Sequence, residues 1–228
     1  MNRHRMVGSV SAIVLGFVAF CAAQMAMGGG GQMAENMAEN SKKLKQYTYL
    51  QKTEVFLKGE ARSTKVDQVH YDSSGQKVVV PVSSTPSAEG QQGGGGGRLR
   101  QRVVEKKKDE MKDYVERLVG LMGQYLPPNG DRVKGAMPRA QITPPSGGEA
   151  KIALPDYLKP GDTMTLSVEP ATKALTKILI NSSLDEDPVK FTVDFAKLPD
   201  GTNYPSMTSI QAPSKELEIR VTTSDYHK

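Results

Sequence analysis

The chain has 228 residues, enough to bury an ordinary hydrophobic core, and a formal net charge of +5, which falls to +3 without Arg3 and Arg5 and is then too mild to imply a nucleic-acid partner. A single cysteine, Cys21, leaves no pair for a disulfide framework and no thiolate set for zinc.

The first segment reads as an export signal. Arg3, His4 and Arg5 form a basic start, and the apolar run AIVLGFVAFCAA follows from Ala12 to Ala23. A charged start, a short apolar run and small residues at its end are the pattern of a secretory signal peptide. The run falls short of the about 20 apolar residues that a membrane-spanning helix needs. Cleavage is expected after Ala23, so residues 1–23 leave with Arg3 and Arg5, and the chain from Gln24 onward is periplasmic or secreted. An uncleaved anchor is the alternative. Lipid attachment at Cys21 is disfavoured because Phe20, not a small residue, precedes it.

Residues 24–32 contain Gly28 to Gly31 and are expected to act as a loose tether. One domain is expected from residue 33 to residue 228. It begins with MAENMAENSKKLKQ, where Met33, Met37 and Leu44 recur at helical spacing between charged residues. From Tyr47 the texture alternates, with β-branched and aromatic residues, and three strands are expected at about 47–58, 61–72 and 76–82. Gly59 and Ser73-Ser74-Gly75 supply the turns. The Gly/Ser/Pro-rich stretch 83–97 has little to bury and is expected to be a disordered loop.

A helix is expected from about Val103 to Tyr125. Val104, Met111, Val115, Leu118, Met122 and Tyr125 form an apolar stripe, an Asp113–Arg117 pair lies at i,i+4, and Pro127-Pro128 stops the helix. Residues 127–162 read as irregular, with one short strand near Lys151–Leu154. The last third alternates through TMTLSVE, KALTKILINS, PVKFTVDFAKL, SMTSIQA and KELEIRVTT, an antiparallel meander of about five strands. In its third strand Val189, Phe191, Val193 and Phe195 share one face, and Lys190, Thr192 and Asp194 share the other. The fold class expected is α+β: a curved antiparallel sheet of about eight strands, an unclosed half-barrel, with helices over its concave apolar face.

Residues that could carry chemistry are few. His4 leaves with the signal and His227 is next to last, so His70 is the one histidine inside the fold. It has no nucleophile elbow to serve and reads as a half-exposed strand residue. Asp185, Glu186 and Asp187 lack the spacing of a calcium loop and read as a solvated turn. Gly93–Gly97 lacks the Lys-Ser/Thr pair of a phosphate loop. The basic run RLRQRVVEKKK reads as a charged helix start, with contact to anionic lipid headgroups or a peptidoglycan carboxylate as its functional alternative. No catalytic residue, metal site or cofactor is expected.

An exported chain with a short first helix, hairpin strands beginning YTYLQKTEVFLKGE, an internal helix and a final meander through VKFTVDFAKLPDGTNYPSMTSIQA resembles the periplasmic lipoprotein-carrier (Lol-like) superfamily. The resemblance covers most of residues 33–226. It lies in strand order and texture, and carries over no ligand-binding residue. The Gly-rich insertion and Pro-rich middle depart from the carriers. It implies an unclosed barrel whose apolar face holds a lipid beneath helices. The expectation is therefore a non-enzymatic protein that binds a lipid or a lipidated protein between Met111, Val115, Leu118 and Met122 on the helix and Val189, Phe191, Val193 and Phe195 on the sheet. The alternative is a structural or protein-interaction module of the envelope with a packed core and no ligand. No transmembrane span is expected after the signal.

Overall fold

In the computed structural model the described residues are 39–86, 98–126, 128–146, 148–172 and 174–228. The expected signal peptide, the tether, Met33, Met37 and residues 87–97 of the expected loop lie outside them.

Ten strands form one antiparallel sheet. In chain order they are β1 (Thr48–Leu57), β2 (Glu60–Tyr71), β3 (Lys77–Pro86), β4 (Gln141–Ser146), β5 (Glu149–Pro155), β6 (Thr163–Glu169), β7 (Ala174–Leu184), β8 (Asp187–Lys197), β9 (Asn203–Ala212) and β10 (Leu217–His227). Among the described residues three helices accompany them: α1 (residues 39–44), α2 (Arg98–Tyr125) and α3 (Gly130–Ala136). Two single 3-10 turns, Met137–Arg139 and Pro213–Lys215, complete the described elements.

The spatial order is β3-β2-β1-β10-β9-β8-β7-β6-β5-β4, so the sheet is unclosed, with β3 and β4 at its two edges. The first and last strands pair in the middle, for instance Thr53 with Val221 and Val55 with Ile219. This order dictates the role of α2. The chain leaves β3 at one edge and must enter β4 at the other, nine strand intervals away. At about 4.8 Å per interval that is about 43 Å. A helix of 28 residues is about 42 Å long at 1.5 Å per residue. The helix is therefore a crossover long enough to reach from edge to edge.

Hairpin turns follow local chemistry. Lys58 and Gly59 both have positive φ (57° and 76°), the two-residue turn that matches the twist of paired strands. At the β2–β3 turn Asp72 Oδ1 accepts from the backbone N–H groups of Ser74 and Gln76, and Gly75 takes φ 78°.

The expected strand count of about eight is corrected to ten. Strand β4 lies in the segment read as irregular, because Pro144 and Pro145 argue against a strand interior. An edge strand tolerates proline, since one side of its backbone has no partner to bond. Strand β3 runs on to Pro86, so residues 83–86 of the expected loop pair with β2: Ser83 with Val66, Ser84 with Lys65, Thr85 with Thr64 and Pro86 with Ser63. Helix α3 also lies in the segment read as irregular. The Asn129 side chain caps it, accepting from the N–H groups of Asp131 and Arg132. Helix α2 begins at Arg98, five residues before the expected start. The expected Asp113–Arg117 pair is replaced: Arg117 reaches Asp185 at 2.7 Å.

Candidate functional site

Cross-strand partners in an antiparallel sheet point to the same face. Ile180, Phe191, Ile210, Ile219 and Val55 are successive partners from β7 to β1, so they line one face. The first four are fully or almost fully buried. Leu154, Met164 and Leu166 continue this apolar surface onto β5 and β6.

Helix α2 covers this face. Tyr114, Leu118, Val119, Leu121, Met122 and Tyr125 are buried in the same apolar cluster as Phe191 and Ile210. Contacts along the helix show that it crosses the strands. Tyr114 has the Lys215 ammonium of the β9–β10 connection over its ring, Arg117 bridges to Asp185 in the β7–β8 turn, and Tyr125 reaches Asp162 before β6. The C-terminal end is firmly held. The Tyr125 hydroxyl donates to Asp162 Oδ2 at 2.5 Å and lies 2.8 Å from Ser182 Oγ. Asp162 is buried and also accepts from the backbone N–H groups of Leu158 and Lys159. Burial and the bond to Asp162 raise the Tyr125 hydroxyl pKa well above the ordinary tyrosine value. Past this anchor, Arg132 of α3 donates to the Gln124 carbonyl. Toward the start of α2, by contrast, Lys106, Lys107, Asp109 and Glu110 are exposed.

The eight sequence-predicted site residues come together. Leu118, Met122, Val189, Phe191 and Val193 are buried at 0–3% exposure, and Met111, Val115 and Phe195 pack against them half-buried. Tyr114, Val119 and Leu121 also belong to this interface. They were legible only as a second apolar row beside the main stripe.

The same face changes character on β1 and β2. Gln51 pairs with Asp67 on one side and Thr223 on the other, and Thr53 pairs with Lys65 and Val221. Gln51 and Asp67 are completely buried, and Thr53, Lys65 and Thr223 nearly so. Lys65 Nζ bridges to Asp67 Oδ1 at 2.9 Å. Gln51 Nε2 makes one long bond of 3.5 Å to Thr53 Oγ1, and its Oε1 has no hydrogen-bond partner among the described residues. On β3, burial lowers the Lys77 ammonium pKa to about 8 against the opposing pull of Asp67. Sequence reading missed this polar floor, because alternation along β1 and β2 does not say what covers either face.

At the end of the face away from α2 lies a group of tyrosines. The Tyr49 and Tyr226 rings stack at 4.8 Å, and Tyr204 lies 4.5 Å from Tyr226. Helix α1 closes this end through buried Leu44 and through Asn40, whose side chain bonds both the N–H and the carbonyl of Asn203. Tyr47 OH donates to Asp200 Oδ2 at 2.5 Å, and Lys228 reaches the same carboxylate at 3.2 Å.

The other sequence candidates stand apart from both regions. His70 is half-buried on β2 between residues that face the other way. Asp185 and Asp187 form ion pairs with Arg117 and Lys215 rather than a cation site. Among the described residues no group of three or more His, Cys, Asp or Glu side chains could hold a metal ion. No described helix is long and apolar enough to cross a membrane.

The architecture is thus a mostly antiparallel, unclosed ten-stranded sheet with one long helix across its apolar face. The chain matches no protein-family model, no curated protein and no solved structure.

Proposed function

We propose that this is an exported, non-enzymatic binding protein of the cell envelope whose unclosed sheet curves into a half-barrel and holds an apolar ligand, a lipid or a lipidated protein, beneath α2. The supporting observation is the way α2 is fastened. Its last turn is pinned by the buried Tyr125–Asp162 bond, and about two turns earlier the exposed Arg117–Asp185 pair adds little to the hold. Lys106, Lys107, Asp109 and Glu110, ahead of that pair, are exposed. A helix held at one end and resting elsewhere on side chains can swing away without disturbing the sheet ladder. Lifting it uncovers Val189, Phe191, Val193 and Phe195, and acyl CH₂ groups buried there contribute about 0.8 kcal/mol each.

The test links the helix to the sheet. In a Cys21→Ser background, Arg117→Cys and Asp185→Cys are joined by a short bismaleimide. The linked protein is expected to keep its circular dichroism spectrum and melting temperature but to lose uptake of a fluorescent fatty acid that the unlinked protein binds. Uptake at an unchanged rate after linking removes the lid from the mechanism.

One observation favours a second reading. Leu118, Met122, Val189, Phe191 and Val193 already fill one another's space at 0–3% exposure. On that basis the protein would be an envelope interaction module with a permanently packed core, recognising a partner through its sheet edges. An unlinked protein that takes up no probe and carries no lipid by mass spectrometry favours this reading.

A further inference from the structure

We propose that the buried polar floor of β1 and β2 is a headgroup site for an anionic, hydroxyl-bearing amphiphile whose chain lies on the apolar part of the same face. The inference rests on the apolar-ligand reading above and assigns the ligand its polar end.

The two parts of the face are continuous. Val193, Thr208, Val221, Thr53 and Lys65 are successive cross-strand partners from β8 to β2. Four strand intervals separate Val193 from Lys65, about 19 Å at about 4.8 Å each. A chain lying along this row passes from a purely apolar surface to a lysine without leaving the face.

Stability does not account for the polar residues. A buried ion pair such as Lys65–Asp67 is commonly no more stable than well-packed apolar residues of similar volume. A buried acceptor without a donor, Gln51 Oε1, is a net cost. Both lie on a face whose neighbouring rows are filled by Ile, Phe and Val.

The chemistry of the floor selects the ligand class. Lys65 bridges to Asp67, and Lys77 lies within electrostatic reach of both, so the floor brings two ammonium groups to one place, the kind of group that recognises an oxyanion. Burial already disfavours the Lys77 charge, and a bound oxyanion would offset that cost. Gln51 Oε1 needs a donor, which a hydroxyl supplies. A phosphate ester beside a free hydroxyl meets both demands. It occurs in a lysophospholipid headgroup and in soluble glycerol 3-phosphate.

The test compares oleoyl lysophosphatidic acid with monoolein, which shares its chain and glycerol but lacks the phosphate. Binding is measured by displacement of a fluorescent fatty acid, and glycerol 3-phosphate alone is titrated by calorimetry. Two variants are used: Lys77→Gln, and the double variant Lys65→Met with Asp67→Leu. The double variant is expected to melt no lower than the parent, so its binding defect cannot be read as unfolding. The parent is expected to prefer the phosphate lipid by about tenfold or more, as a charge-assisted contact implies. Both variants are expected to lose that preference while binding monoolein as the parent does. Equal affinity for the two lipids in the parent overturns the headgroup site and leaves the apolar-ligand reading standing. If neither lipid binds, the apolar-ligand reading fails. Glycerol 3-phosphate binding that both variants abolish would then still support an anion site and assign it to a soluble ligand.

Discussion

Leu118 offers the sharpest test of how α2 sits on the sheet. Its side chain is completely buried within the apolar cluster that joins helix to sheet. Leu118→Ala removes three carbons from a packed layer, and such truncations cost about 2–5 kcal/mol. For a chain of this size each kcal/mol moves the melting temperature by about 2–4 °C, so a mid-range cost of about 3 kcal/mol predicts a drop of about 6–12 °C. Leu118→Asp is expected to be worse, because a carboxylate without a partner must also be desolvated. Two positions earlier, Glu116 is exposed on the same helix, and Glu116→Ala is expected to stay within about 0.5 kcal/mol of the parent. Thermal unfolding followed by circular dichroism reads all three. If Leu118→Asp and Glu116→Ala melt together, α2 does not rest on the sheet, and both its bridging role and its role as a lid are refuted.

Three further outcomes follow from particular residues. Gly120 is exposed inside α2 and a Cβ there meets nothing within 4 Å, so Gly120→Ala is expected to stabilise by about 0.8–1 kcal/mol, read as a higher melting temperature. Tyr125→Phe deletes the donor to buried Asp162 and is expected to cost about 1.5–3 kcal/mol in chemical denaturation, with the other bonds to Asp162 intact. Stability is expected to rise between about pH 8 and pH 10 and to fall above it. Lys77 has a folded pKa of about 8, below its ordinary 10.5, so its penalty is present at lower pH and is relieved as pH rises through 8. Its partial exposure limits this gain to the order of 1 kcal/mol. Burial raises the hydroxyl pKa values of Tyr49, Tyr125 and Tyr226 above the ordinary 10.0, so the preference of the fold for their neutral forms is lost as pH climbs past 10. A melting temperature that falls steadily from pH 7 to pH 10 contradicts the Lys77 assignment.

The alternation in PVKFTVDF was enough to place Val189, Phe191 and Val193 on the buried face, because side chains in a strand have a period of two whatever the strand pairs with. The stripe through Leu118, Met122 and Tyr125 likewise marked the buried side of α2, because helical periodicity is a local property. Both halves of the apolar interface were therefore legible before any pairing was known. Strand β4 was not. Its two prolines weaken every local strand signal, and only its place at the edge of the sheet makes it a strand. The meeting of β1 with β10 was equally hidden, since nothing local in Thr48–Leu57 marks a partner more than 150 residues away. That pairing decided the rest. It put β3 and β4 at opposite edges, which forces the chain between them to cross from one to the other. It also set Gln51 beside Asp67 and Thr223, turning residues that look solvent-facing along the chain into a buried polar floor. Which face of a strand is apolar is written in consecutive residues. What lies beside that face depends on register between distant segments, and only the assembled sheet supplies it.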